Sequence, residues 1–489
     1  MRASGILLHI SSLPSPYGIG TLGKAAYEFA DFLQEAGQRY WQLLPLGPTS
    51  YGDSPYQSFS TFAGNPYFID LDLLAEERLL EKDEIEAIDW SCSEARTDYG
   101  YLFSVRYDLL YKAFLRGRDR YEREIQTFRR ENLWLEDYAL FMALKRSRQM
   151  ACWDTWPEEI RLRHTGAAES YATVLAEDMN FFIFLQFLFY RQWDALRAYL
   201  HEKGIQVIGD IPIYVPYDSC DVWANPHLFQ LDGEGKPTAV AGCPPDSFSA
   251  EGQLWGNPLY DWKRMEQDGF DWWKKRIAGA ARLYDVIRID HFRGLESYWA
   301  VPYGEQTAIN GRWIKGPDHA FIDTLRYAFP HLRLIAEDLG FLTPEVIQLQ
   351  KDSGYPGMKI LEFAFDPREP SNYLPHRYER NCICYSGTHD NETLAQWLEG
   401  QDEEALDYVA EYLGTDKKDL RWGILRAGMA SVADTFIAQM QDYLGLGAEA
   451  RMNEPGSVGT HNWSWRMAAD ALTPKLAEKI KQLTVLYER

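Results

Sequence analysis

The segment VIRIDHFRG (residues 286–294) places two charged side chains in an apolar run that is typical of a buried strand. Side chains two residues apart in a strand point to the same side, so Arg288 and Asp290 share one face, while Ile287 and Ile289 share the other. A buried face that carries both an arginine and an aspartate indicates a polar space beside it. The segment therefore predicts a strand whose end borders a functional site.

Seven further short apolar runs end in Gly, Pro or a polar cluster, as buried strands do. Together with DVIRID (285–290), the runs are GILLHI (5–10), YWQLLP (40–45), IQVIGD (205–210), LRLIAED (332–338), MKILEF (358–363), CICYSG (382–387) and FIAQMQ (436–441). Segments with helical periodicity, such as residues 22–37, lie between most of them. Strand–helix alternation predicts an α/β fold with a parallel sheet, and eight units predict a closed (β/α)8 TIM barrel.

The spacing of these runs is uneven, which predicts insertions in a single catalytic barrel that comprises all 489 residues. Residues 46–204 separate the second strand from the third. Because residues 76–90 and 134–148 have helical periodicity, we predict that this insertion is a mostly helical subdomain. A smaller insertion at residues 211–284 carries the segment 243–258, which we predict to be a lid loop.

The composition argues against polyanionic partners. Lys and Arg total 50 against 72 Asp and Glu, a net charge of −22, whereas nucleic acids and anionic membranes need a basic surface. The most apolar run, residues 181–189, is too short to cross a bilayer and predicts a buried helix. Six scattered cysteines without C-x-x-C pairs and a poor N-terminal signal peptide predict a cytoplasmic location. From the acidic composition we predict no nucleic-acid partner and no membrane partner.

Aromatic residues make up 15% of the chain, and many stand beside Gly, Pro, Asp or Asn. A large core explains most of them. Those in predicted loops offer flat apolar surfaces that suit the C–H faces of sugar rings.

Acidic residues end four of the eight predicted strands. In a TIM barrel the active site lies at the C-terminal strand ends. The charged and imidazole side chains at these ends are Asp210, Arg288, Asp290, Glu337, Asp338, His389 and Asp390. A single carboxylate there is often a helix N-cap, but several on one rim repel one another, and a ligand, a cation or a neighbouring arginine must offset that repulsion.

Two kinds of site fit this set. A divalent metal centre could use Asp210, His389 and Asp390. These residues do not have the usual metal-binding spacings H-x-H, H-E-x-x-H or D-x-D, so the pattern does not support a metal centre. Glycoside chemistry needs one carboxylate nucleophile and one carboxylic acid with a raised pKa. An arginine two residues before the nucleophile would keep Asp290 ionised, so the sequence favours glycoside chemistry.

Four motifs in chain order resemble the signature regions of the α-amylase clan of retaining glycosidases: GDIPIYV (209–215), VIRIDHFRG, IAEDLG (335–340) and GTHDNET (387–393). Other segments resemble the narrower 4-α-glucanotransferase family, glycoside hydrolase family 77, which is also known as amylomaltase or disproportionating enzyme. These segments are GILLHISSLPSPYGIGTLG (5–23), GDSPYQSFSTFAGNP (52–66), CPPDSFSAEGQLWGNP (243–258) and NWSWR (462–466).

The resemblance implies a role for each of three acids. Asp290 would be the nucleophile that forms a β-glycosyl-enzyme. Glu337 would protonate the departing 4-oxygen and then deprotonate the incoming 4-hydroxyl group. Asp390 would hold ring hydroxyl groups and favour the distorted sugar, and Arg288 would orient and ionise Asp290.

The resemblance also implies a set of sugar contacts. His291 and His389 would hydrogen-bond hydroxyl groups around the scissile bond, and Tyr56 would stack on the sugar ring beside the nucleophile. Asp210 would order the rim, and the lid loop would overhang the cleft. The residues predicted to bind substrate are Tyr51, Tyr56, Asp210, Phe248, Trp255, Arg288, His291, His389 and Asn462. Of these, His291 could instead cap or pack, and Tyr51 could belong to ordinary loop packing.

The predicted activity is that of a retaining 4-α-glucanotransferase, which disproportionates maltooligosaccharides and could close cycles on long amylose. α-1,4-Glucans and maltooligosaccharides would be donor and acceptor, glucose would be an acceptor or product, and the chain would be a monomer or homodimer. The region GDIPIYV lacks the Asn and His of typical α-amylases, which argues against calcium. The narrower family needs no metal, so we predict no metal and no cofactor.

Two other functions are compatible with the same fold. An α-amylase-type hydrolase or a debranching transferase would share the first half of the reaction. A catalytically inactive glucan-binding protein would keep the barrel but is expected to lose at least one acid, and all three acids are present.

Overall fold

The computed structural model describes residues 2–50, 52–90, 94–245, 249–340 and 342–489. Within these ranges the strands are β1 Ala3–Leu7, β2 Tyr40–Gln42, β3 Gln206–Ile211, β4 Ala239–Cys243, β5 Gln253–Pro258, β6 Val286–Ile289, β7 Ser297–Pro302, β8 Arg312–Lys315, β9 Arg333–Ala336, β10 Gly357–Ile360, β11 Cys382–Tyr385 and β12 Thr435–Gln439. Eight form a parallel sheet in the order β10-β11-β12-β1-β2-β3-β6-β9. The others form an antiparallel sheet in the order β5-β4-β7-β8.

Every predicted run overlaps one strand of the parallel sheet, and the TIM-barrel prediction is confirmed. The ring is closed between β9 and β10, at a junction that we call the barrel seam. There the Ala336 N–H donates to the Pro356 carbonyl group at 3.0 Å, and the Met358 N–H donates to the Asp338 carboxylate at 2.6 Å. These bonds take the place of a regular ladder between the two strands.

Alternation along β6 explains how charged residues occur in a buried strand. Val286 packs with Ile335 and other side chains inside the barrel. Ile287 and Ile289 pack in the larger cluster that joins the strands to the helices. Arg288 therefore points into the barrel, where polar groups meet it at the strand ends.

The described part of the chain also contains the helices α1 Lys24–Glu35, α2 Leu71–Glu76, α3 Lys82–Glu86, α4 Tyr99–Gly117, α5 Glu122–Glu131, α6 Leu135–Ser147, α7 Glu158–Arg161, α8 Ala167–Val174, α9 Ala176–Glu202, α10 Cys220–Ala224, α11 Trp262–Gln267, α12 Asp271–Leu283, α13 Asp318–Ala328, α14 Pro344–Ser353, α15 Leu394–Glu399, α16 Glu403–Leu413, α17 Leu420–Ala430, α18 Met440–Leu444 and α19 Pro474–Leu486. Helices α2 to α9 lie between β2 and β3. The division into one catalytic barrel with insertions at 46–204 and 211–284 stays a prediction.

The helices predicted at residues 22–37, 134–148 and 181–189 are confirmed as α1, α6 and a buried part of α9. Among the described helices, none alone is long and apolar enough to cross a membrane. Helices α8 and α9, which are bent by 85° relative to each other, meet the criteria of length and composition when they are taken together.

The prediction of a single helix over residues 76–90 is wrong. α2 ends at Glu76 and α3 begins at Lys82, and Arg78 between them has a φ of 59°, a left-handed conformation that ends a helix. Leu79 and Leu80 in this turn are buried. The apolar spacing that predicts a helix here therefore comes from a turn that packs into the core.

Candidate active site

Arg288 lies at the centre of the site, near the end of β6. Its Nη1 is 2.6 Å from Asp210 Oδ2 and 2.8 Å from Asp290 Oδ1. The first contact follows from strand register, because Asp210 and Arg288 are partners on the parallel strands β3 and β6. Arg288 and Asp210 are buried, whereas 31% of the Asp290 side chain is exposed. Asp290 is therefore the partner that a ligand can reach.

Asp210 joins Arg288 to an aromatic residue from another segment. The Tyr56 hydroxyl group donates to Asp210 Oδ2 at 2.8 Å, and Asp210 Oδ1 has no hydrogen-bond partner among the described residues. Burial raises the pKa of Asp210 to about 6, although the neighbouring Arg288 acts in the opposite direction. This buried carboxyl group therefore links Tyr56 to Arg288 at the rim of the site.

Glu337 follows β9 and is held by the backbone of two segments. Its Oε2 accepts the His291 N–H at 2.7 Å, and its Oε1 accepts the Leu339 N–H at 2.8 Å. Burial raises the pKa of Glu337 to about 7; Arg288 and the two N–H groups lower it, and Asp290 raises it. Glu337 can therefore give and take a proton near neutral pH.

The backbone at His291 connects the two acids. His291 has a left-handed conformation, with φ 52° and ψ 48°, which costs a non-glycine residue about 1–2 kcal/mol. This turn directs its N–H at Glu337. The imidazole packs edge-on against Trp255, with ring centroids 4.8 Å apart, and burial lowers the pKa of His291 to about 4. The ring is thus neutral at physiological pH.

Asp390 stands on the loop that follows β11. Its Oδ1 accepts from Asn453 Nδ2 at 2.6 Å, and its Oδ2 is 3.4 Å from His389 Nε2. Arg451 donates to its carbonyl group at 3.1 Å. Because 46% of the side chain remains exposed, the oriented carboxylate is available to a ligand.

Aromatic rings pack beside this carboxylate. Tyr56 stacks on His389, with centroids 5.0 Å apart and planes 18° from parallel. Trp463 contacts both rings, and its ring centroid is 5.8 Å from that of Tyr56 and 5.9 Å from that of His389. Sequence reasoning missed Trp463, although it stands in the motif NWSWR, because the sequence does not show which side chain of that motif faces the site.

The structure brings most of the predicted site residues together. The connected set is Tyr56, Asp210, Trp255, Arg288, Asp290, His291, Glu337, His389 and Asp390. Asn462 differs, because its side chain accepts from the Glu454 N–H and donates to Ser457, and thus braces its own loop. Tyr51 and Phe248 lie outside the described residues. The functional roles of all these residues stay predictions.

The segment 243–258 is not a loop throughout. Residues Gln253–Pro258 form β5, which pairs with β4 and carries Trp255. The segment is rich in Gly and Pro, which predicts a loop, but ladder hydrogen bonds to β4 outweigh that local preference. Whether the segment covers the cleft stays a prediction.

Sequence reasoning also missed two polar residues near the rim. Asn453 comes from a distant segment that has no strand pattern. Glu362 lies in the run MKILEF, predicted as a strand to residue 363, whereas β10 ends at Ile360 and Leu361–Phe363 form a 3-10 helix. An acid at the end of a predicted strand was the available signal for Glu362.

The chain is similar to known proteins over nearly its whole length. A family model described as 4-alpha-glucanotransferase matches residues 8–473. The 4-alpha-glucanotransferase of Clostridium butyricum is 49% identical over 486 residues, which cover 99% of this chain and 100% of the relative. That of Thermus thermophilus is 45% identical over 501 residues, which cover 100% and 99%.

Solved structures give the same result. An amylomaltase from Streptococcus agalactiae, solved in complex with acarbose, matches with a TM-score of 0.97 at 42% identity and covers 100% of both chains. The amylomaltase of Corynebacterium glutamicum shares the fold, with a TM-score of 0.79 at 21% identity, covering 98% of this chain and 73% of that chain. Because the family model and these relatives match nearly the whole chain, this chain belongs to the 4-α-glucanotransferase family and is an enzyme of that type.

Proposed function

We propose that this 4-α-glucanotransferase transfers glucan chains by a double displacement with retention, in which Asp290 and Glu337 react directly with the sugar. The supporting observation is a contrast between two carboxyl groups. Asp290 is 2.8 Å from the guanidinium of Arg288, whereas partial burial raises the pKa of Glu337 to about 7. An ion-paired carboxylate suits a nucleophile, and a carboxyl group protonated near neutral pH suits a proton donor.

In the first step a carboxylate oxygen of Asp290 attacks the anomeric carbon, and the bond from that carbon to the 4-oxygen of the leaving chain breaks. Glu337 gives its proton to that oxygen, and the donor chain becomes a covalent β-glycosyl-enzyme. In the second step the 4-hydroxyl group of an acceptor gives its proton to Glu337 and displaces Asp290. One α-1,4 bond is broken and one is formed.

The neighbouring residues would position the sugar. The carboxylate of Asp390, fixed by Asn453, suits ring hydroxyl groups and would favour the distorted sugar of the transition state. The neutral imidazole of His291, together with His389, would bond hydroxyl groups near the scissile linkage. Further proposed contacts are Tyr51, Tyr56, Phe248, Trp255 and Asn462.

Transfer requires that a sugar hydroxyl group reach the glycosyl-enzyme before water, which is present at about 55 M. We propose that acceptor positions lined by aromatic rings achieve this, with the segment 243–258 and the insertion 46–204 as the cover. The matching family model and the relatives carry the name 4-alpha-glucanotransferase, which does not favour a hydrolase.

The substrates, the cofactor requirement, the location and the oligomeric state belong to the same proposal. We expect α-1,4-glucans and maltooligosaccharides as substrates, glucose as acceptor or product, no metal or cofactor, a cytoplasmic location, and a monomer or homodimer. The acidic composition and the scattered cysteines support the location.

Incubation of the enzyme with maltotriose tests the proposal. Transfer gives free glucose together with a ladder of maltooligosaccharides longer than maltotriose, which chromatography resolves. Maltose and glucose as the only products would show hydrolysis and contradict the proposal.

A further inference from the structure

Glu362 is a buried carboxyl group that the proposed mechanism does not use. It lies in the 3-10 helix Leu361–Phe363 that follows β10, only 7% of it is exposed, and its Oε1 has no hydrogen-bond partner among the described residues. The strand order places it on the barrel rim between the ends of β9 and β11, which carry Glu337 and Asp390.

The Glu362 carboxyl group lies against the loop of residues 386–394, which we call the β11 loop. A Cβ atom added at Gly387 would be 2.4 Å from Glu362 Oε1 and 3.0 Å from Gln439 Nε2. The carboxyl group therefore occupies the space that a side chain at position 387 would need. His389 and Asp390 follow within the same loop, so the support of its backbone bears directly on their positions.

Asp442, at the start of α18, holds both ends of this loop. It is fully buried, and it accepts from the Ser386 hydroxyl group at 2.5 Å and from the Leu394 N–H at 2.8 Å. The two ends are thus anchored by hydrogen bonds, whereas Gly387 near the first end rests on the side chain of Glu362.

The charges that face Glu362 are mostly negative. Asp442 and Glu392 are the acidic neighbours, and Arg451, which is 3.7 Å from Glu392, is the basic one. Burial, followed by Asp442 and Glu392, raises the pKa of Glu362 well above its usual range, and Arg451 acts in the opposite direction. An ionised Glu362 would be a buried anion whose Oε1 has no hydrogen-bond partner among the described residues, which is costly.

We propose that Glu362 is a positioning residue whose neutral carboxyl group supports the β11 loop and thereby fixes His389 and Asp390 for glucan transfer. The inference rests on the roles proposed above for those two residues. Ionisation of Glu362 would place another anion beside Asp442 and Glu392 and displace the loop.

The first test measures stability and does not depend on activity. A carboxyl group with a raised pKa contributes stability that is fully present below its unfolded pKa and is lost as the pH rises towards its folded pKa. Glu362→Gln keeps the shape but cannot ionise. The Tm of this variant minus the Tm of the wild type should therefore increase by about 1–2 °C from pH 5 to pH 8. Glu399→Gln, at an exposed position in α15, should show no such trend.

The second test measures turnover of maltotriose at pH 7. Glu362→Gln should keep kcat within about twofold, whereas Glu362→Ala should lower kcat at least about tenfold with little change in KM, because the lost interactions act mainly in the transition state.

Three results would overturn the inference: equal loss of kcat in both variants, an unchanged kcat in Glu362→Ala, or a Tm difference that is the same at every pH. If Glu362→Ala does not fold, the pH series with Glu362→Gln still decides. A wild type that only hydrolyses maltotriose would refute the proposed function and leave the Tm comparison valid.

Discussion

Asp290 and Glu337 are both carboxyl groups at the ends of neighbouring strands, yet their surroundings differ. Asp290 is partly exposed and paired with Arg288. Glu337 is also partly exposed, but desolvation of its carboxyl group outweighs the hydrogen bonds that would favour its ionised form. Charge pairing and desolvation act in opposite directions on a carboxyl group. This contrast is the basis for the different roles that we propose for the two acids.

Asp290→Asn should abolish turnover and keep substrate binding. The amide has nearly the shape of the carboxylate but cannot form the glycosyl ester, so kcat should fall by at least about 10³-fold. Calorimetry with maltooligosaccharides should show a Kd within about threefold of the wild-type value. Asp323→Asn, at an exposed site in α13, is the control. Retained turnover in Asp290→Asn would rule out Asp290 as the nucleophile.

The pH dependence of kcat/KM should report the protonation of Glu337. The first step needs the protonated acid, so kcat/KM for maltotriose should fall about tenfold per pH unit above a pH of about 7. Glu337→Gln should lower kcat by about 10²–10⁴-fold and remove this limb of the profile. A wild-type profile that stays flat to pH 9 would contradict the assignment.

The acids of the site could be predicted from the sequence because strand ends are readable and a barrel gathers them at one face. The partners that orient them could not. Asn453 and Trp463 reach the site from a segment without strand or helix pattern, and only the folded chain shows which side chain faces inward. The same limit applies to Asn462, whose polar atoms serve its own loop.

At the scale of elements, the barrel seam between β9 and β10 depends on the side chain of Asp338. Asp338→Ala leaves the Met358 N–H without its partner, which should cost about 1–3 kcal/mol and lower the Tm by about 1–3 °C in a chain of this length. Asp338→Asn keeps an acceptor oxygen and should lose less. Equal Tm values for the alanine variant and the wild type would show that the bond is dispensable.

The parallel strands could be predicted because each is a short apolar run bounded by polar or turn residues. Local patterns were misleading where tertiary contacts outweigh them. Arg78 ends a helix inside an apolar spacing that looks helical, and pairing with β4 makes a strand of residues 253–258, where Gly and Pro predict a loop. In both places packing or pairing with another part of the fold decides the structure, and the local pattern does not show that contact.

At the scale of the whole molecule, Arg489 joins the two ends of the described chain. Its buried guanidinium donates to the carbonyl groups of Ala3, Met429 and Ser431. Arg489→Ala should remove the arginine donor of the Ala3 carbonyl group and leave Arg2 as the remaining arginine donor to Met429 and Ser431. The Tm should fall by about 2–4 °C in calorimetry. Arg426→Ala, at an exposed position in α17, should change the Tm by less than about 1 °C. A similar drop in both variants would contradict this role.

The left-handed turn at His291 restricts how the enzyme can be redesigned. One peptide unit carries both the carbonyl group of Asp290 and the N–H that Glu337 accepts. Asp290 and Glu337 therefore cannot be shifted independently, since covalent geometry and one hydrogen bond set their relation. Exchange of outer helices or of acceptor-binding segments should leave the reacting pair intact as long as β6 and β9 remain paired.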